Sequence, residues 1–141
     1  MPASAKVLEA GSELPALKKT ITQRQIDCYS GVRPKSIHTD VEWAKAKGFP
    51  APLAQALMST AYVSQMMVTW LGKGFIQGGK ISALFIKPVI VGDTLTARAV
   101  IKSREELGGR PHVTVECWCE NQDGVKTLVG SASGFADHVR T

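Results

Sequence analysis

Disulfide staples are the first thing this sequence lacks. It has three cysteines, Cys28, Cys117 and Cys119, and the last two alternate on a stretch that reads as a strand. An odd, scattered set suggests neither a disulfide framework nor a zinc site, so buried thiols are expected and no metal or cofactor is implied. Long apolar runs are also missing, since none approaches the ~20 residues of a membrane span. The opening MPASAKVLEAGSELP has no apolar leader core. The chain therefore reads as cytoplasmic, with no membrane partner. Its net charge of +5 is carried by seventeen scattered Lys and Arg, with no run of five or six basic residues and no aromatic–basic alternation. A nucleic-acid partner is not expected, although a modest positive surface would favour a small polyanion.

What is present suits one globular domain over residues 1–141, with 44% apolar and 21% charged residues and an N-terminal stretch, 1–12, expected to be loosely ordered. "LKKTIT" (17–22) reads as a first strand, and Thr22 is placed to cap a short helix that Gly31 ends. After the loop VRPKSIH, Thr39 and Glu42 have capping-box spacing ahead of a helix that stops at Gly48. The most apolar helical stretch spans 51–72, with Pro52 suited to its first turn and two apolar stripes along it. A helix apolar around most of its girth should be largely buried.

Four β-rich segments follow, punctuated by turn signals at Gly92-Asp93, Gly108-Gly109 and Asp123-Gly124. Strands that succeed one another without helices between them pair antiparallel. The expected class is α+β, one curled antiparallel sheet around one central helix.

The stretches "SIHTDVEWAKAKGFPAPLAQALMSTAYVS" and "GGKISALFIKPVIVGDTLTARAVI", with F-x-K-P-V-x-x-G-D at 85–93, resemble the MaoC-like dehydratase family, the (R)-specific enoyl-CoA hydratases. The resemblance runs from about Thr22 almost to the C-terminus. It implies a hot-dog fold and an acyl-thioester substrate, carried by CoA or an acyl-carrier protein. It also implies a tunnel at a dimer interface, where an Asp–His pair activates water and a backbone N–H at the start of the central helix holds the thioester oxygen. A homodimer or higher homo-oligomer is expected, with a heterodimer as the alternative, because an open sheet edge usually finds a partner.

Carried onto this chain, His38 takes the place of the family's histidine, and the Ala56 N–H takes the place of the oxyanion donor. Gln55 stands where the family's H-G-M stretch carries histidine. The aspartate is missing. The loop runs Ser30-Gly31-Val32-Arg33-Pro34-Lys35-Ser36-Ile37-His38, which puts Arg33 five residues before His38, or Val32 in the alternative register. Guanidinium stays protonated, so Arg33 suits a ligand carboxylate or phosphate rather than a base. Asp40 and Asp27 are the available stand-in acids, against their roles in a helix cap and on a helix face. Tyr29, Ser59, Ser64 and Met58 are candidate lining residues, each with a core or rim role as the alternative. His112 and His138 read as solvent-facing, and Asp93 as a turn residue. The hydratase reading competes with a cyclase or isomerase on a polyketide-like substrate, and with a non-catalytic subunit of a heteromeric hydratase.

Overall fold

A computed structural model describes residues 9–139; the leader at 1–8, expected to be loosely ordered, lies outside them. Five strands form one sheet in the order β1-β3-β4-β5-β2, every pair antiparallel. They are β1 (Leu17–Thr20), β2 (Lys80–Phe85), β3 (Thr94–Leu107), β4 (Arg110–Glu120) and β5 (Lys126–Phe135). Four helices accompany them: α1 (Gln23–Ser30), α2 (Val41–Ala46), α3 (Ala56–Leu71) and the one-turn α4 (Lys73–Ile76). No described helix is long and apolar enough to cross a membrane.

Side-chain alternation decides which face of the sheet holds the helix. Leu95, Ala97, Ala99 and Ile101 on β3 are buried, as are Val113, Val115, Cys117 and Cys119 on β4. They meet Met58, Val63, Met66, Met67, Trp70 and Leu71 of α3 in one core. The small residues on β3 leave room for the helix, and period-2 burial requires the opposite face to be polar. Burial pushes the thiols of Cys117 and Cys119 up to about 11 and about 12, so they pack as small apolar groups and are not nucleophiles.

The β3–β4 hairpin turns through Gly108 and Gly109, whose φ of +58° and +76° fit a two-residue turn that side chains resist. Past α3, Gly74 packs so closely on β5 that an added Cβ would run into the Phe135 carbonyl.

Several sequence expectations need correction. The central helix begins at Ala56 rather than near 51, because Phe49 and Ala51 each precede a proline and are driven to extended backbone. Segment 52–54 behaves as a strand fragment, bridging Leu53 to Ile90, with Ala54 N donating to Val89 O at 2.9 Å. Only one side of α3 is covered, since Ala61, Gln65 and Thr69 remain exposed. The cap of α2 is Asp40, not Thr39, with Trp43 N donating to its carboxylate at 3.1 Å. Residues 9–12 are tied down, as Gly11 N donates to Ile101 O at 2.8 Å. Cys28 is exposed. His112 is half-buried, its ring edge-on to Phe135 with centroids 5.0 Å apart. The short α4 carried no capping signal and was not anticipated.

Gly74→Ala is expected to lose roughly 1–3 kcal/mol, the usual cost of forcing atoms into filled space where the obstacle is backbone. Urea denaturation of the purified variant measures it.

Candidate active site

The site starts with a loop closed by its own hydrogen bonds. Arg33 N donates to Thr39 Oγ1 at 2.9 Å, and that hydroxyl donates back to Arg33 O at 2.8 Å. Lys35, at φ +55°, donates its N–H to Asp40 Oδ2 at 3.0 Å. Pro34 stiffens the turn between them. The loop holds Val32 and Arg33 in solvent, so neither alternative for the family's aspartate position faces a cavity. Asp40, taking amide bonds from Trp43 and Lys35, has its carboxyl held below the usual carboxylate range.

His38 closes this loop against the segment leading into α3. Its Nδ1 lies 2.8 Å from Leu53 O. A carbonyl only accepts, so Nδ1 carries the proton and Nε2 keeps its lone pair. Leu53 is fixed in turn, because its N–H donates to Ile37 O at 2.9 Å. The loop and the helix entry are therefore cross-linked twice within two residues. On the far side, Gln23 Nε2 donates to His38 O and to Asp27 Oδ1, both at 2.9 Å. Asp27 is thus tied to the histidine's backbone, not its ring.

A cavity of about 340 Å³ opens here, walled by His38, Leu53, Ala56, Ser59, Phe85 and Thr127 among others. Ala56 is the first residue of α3 and has no i−4 partner inside it, and Gln55 makes no side-chain cap. The unoccupied N–H groups and the positive end of a 16-residue helix therefore adjoin the cavity that holds His38. Amides so placed can stabilise negative charge that develops beside an imidazole in a largely apolar cavity. A larger apolar cleft of about 500 Å³, between Pro15–Leu17 and the second half of α3, has no titratable side chain on its walls.

Of the residues singled out from sequence, His38, Ala56 and Ser59 meet on this cavity; Tyr29, Arg33, Asp27, Asp40, Gln55 and Met58 do not line it. Gln55 is a buried strut, its Nε2 donating to Ile26 O at 3.1 Å and Ser30 Oγ at 2.6 Å, which braces α1 against the start of α3. Met58 belongs to the core, while Tyr29 and Arg33 are exposed. Sequence reasoning missed the Leu53 carbonyl and Thr127. The double proline before α3 signalled an extended segment there, but a buried threonine within a strand gave no signal. Among the described residues no group of His, Cys, Asp and Glu is placed to hold a metal.

A long helix held in a curled antiparallel sheet with strand order 1-3-4-5-2 is the hot-dog fold. The family model described as "MaoC like domain" matches residues 8–122, and the chain belongs to that family. Its fold is shared by the (R)-hydratase from A. caviae involved in PHA biosynthesis, at TM-score 0.71 and 22% identity over 89% of this chain and 95% of that one. The unliganded R-hydratase PhaJ1 from Pseudomonas aeruginosa superposes at 0.73 with 24% identity, covering 94% of this chain and 84% of its own. The ChsH1–ChsH2 complex from Mycobacterium tuberculosis gives 0.72 and 20% over 94% and 98%. No curated protein matches the sequence significantly.

Asp40→Asn probes the loop separately from the cavity. A carboxyl held below its ordinary value stabilises the fold above the unfolded-state pKa of about 3.9, and that contribution disappears as pH falls through the folded-state value. The variant is expected to melt below wild type at pH 7, with the gap closing in strong acid; melting curves at a series of pH values read it.

Proposed function

We propose that the protein is an acyl-thioester hydratase or dehydratase, acting on an enoyl group carried by CoA or an acyl-carrier protein. His38 Nε2 is the general base, and the Ala56 N–H is the donor to the thioester oxygen. The observation that carries this reading is the hydrogen bond from His38 Nδ1 to Leu53 O, which leaves the other ring nitrogen basic on the cavity shared with the first amide of α3. A base fixed in one tautomer needs no reorganisation when the proton moves, and a preorganised amide stabilises the enolate oxygen without a side chain. Alanine at 56 keeps that N–H, although its Cβ allows less close approach than glycine.

Hydration of crotonyl-CoA, followed by loss of enone absorbance, tests the assignment. His38→Ala is expected to cut the rate ~10²–10⁴-fold, the usual effect of removing a general base. An unchanged rate would reject it.

A second reading is favoured by the absence of Asp and Glu from the cavity walls. On that reading hydration has been lost, and the pocket promotes cyclisation or isomerisation of a polyketide-like or other apolar substrate through shape and hydrogen bonds. Its signature is a polyketide that raises the melting temperature of a protein that leaves every CoA thioester intact.

In either case the partner is a second subunit. The β2 edge is unpaired, and Leu57, Leu84, Phe85 and Ile86 expose 60%, 64%, 44% and 43% of their surface around it and the cavity rim. Apolar side chains clustered on a free sheet edge favour association. Sedimentation of the pure protein is expected to show a homodimer or larger homo-oligomer. A monomer that is inert alone and active only with a homologous chain would instead mark a subunit of a heteromeric hydratase.

A further inference from the structure

We propose that the Ser59 hydroxyl does at this site what a second acid would otherwise do, holding the reacting water beside His38. The inference rests on the hydratase reading above. Ser59 lies in the first turn of α3, is 3% exposed, and lines the same cavity as His38 and Ala56. Its carbonyl accepts from the Cys119 thiol at 3.9 Å, but among the described residues its hydroxyl has no protein partner. It is not one of the sealed-off polar atoms of the interior, so the hydroxyl is open to the cavity, where an ordered water can partner it. The other buried hydroxyl on the wall, Thr127 Oγ1, is spent as a donor to Cys119 O at 3.3 Å. The acids near the loop are engaged elsewhere, Asp27 by Gln23 and Asp40 by Lys35 and Trp43.

The step balances with one ionising side chain. His38 Nε2 takes a proton from the water as its oxygen bonds to the β-carbon. The π electrons move to the thioester oxygen, where the Ala56 N–H meets the enolate. The proton on Nε2 then passes to the α-carbon, the carbonyl re-forms, and the imidazole is neutral again. Ser59 stays neutral throughout and orients the water by accepting from it or donating to it. Because a single imidazole serves both transfers, water and proton add to the same face.

Ser59→Ala, Ser59→Thr and wild type are compared on crotonyl-CoA across pH 5–9. The expected result for Ser59→Ala is a kcat lower by ~10–100-fold, the weight of one well-placed hydrogen bond to the reacting water, with KM within about threefold. Its melting temperature should stay close to that of wild type, because the hydroxyl makes no bond to the protein that the alanine would break. Ser59→Thr, which restores the hydroxyl, should recover much of kcat, and the wild-type profile should rise through one ionisation. A Ser59→Ala kcat equal to wild type, or a second, carboxylate ionisation in the wild-type profile, overturns the inference and leaves the hydratase reading standing. A wild-type protein inert on crotonyl-CoA overturns that reading, and this inference with it.

Discussion

One hydrogen bond organises the functional end of the molecule, from the His38 ring to the Leu53 carbonyl. It joins a loop that has no regular structure to a segment that is nearly a strand, and that segment aims the start of α3. A single such bond contributes only about 0.5–1.5 kcal/mol to stability, so it does not hold the fold together. Its effect is on chemistry. It favours one tautomer of the neutral imidazole and brings the ring and the start of α3 onto one wall. The bond depends in turn on Leu53 being held in place, by its own N–H donating to Ile37 O and by the antiparallel bridge to Ile90.

The remainder of the fold serves as a rigid backing for that wall. α3 is held along one side by alanines and branched residues of β3 and β4 and by Gly134 of β5, against which the Leu71 side chain lies closely enough that a Cβ there would meet it at 2.9 Å. Gln55 fastens α1 to the helix start through Ile26 and Ser30. Gln55 is thus a brace that runs from the residue before α3 to the backbone and a hydroxyl of α1. Small changes in that brace would move the Ala56 amide without altering any cavity residue.

Much of the architecture was legible because it depends on local patterns. Residues 94–101 and 131–135 alternate, Thr22 and Gln25 form the capping box that opens α1, and Gly108-Gly109 turns a hairpin. His38 and Ala56 were singled out through family placement, and both line one cavity. What was not legible depended on long-range contacts: the register that brings Thr127 to the cavity, the one-sided burial of α3, and the choice of Asp40 over Thr39 as cap. In the last case both residues favour the position, and Thr39 is diverted because its hydroxyl is already committed to both polar groups of the Arg33 backbone.

Among the described residues no Asp or Glu lines the cavity, and the loop geometry accounts for two of the positions that do not reach it. In the loop, a positive φ at Lys35 and the clasp between Arg33 and Thr39 turn residues 32 and 33 outward. An acid placed there would sit in solvent, well away from the imidazole. On the helix side of the cavity, Ser59 lines the same space as His38. A neutral partner suits a largely apolar cavity, because it orients water without the desolvation penalty of a second buried charge.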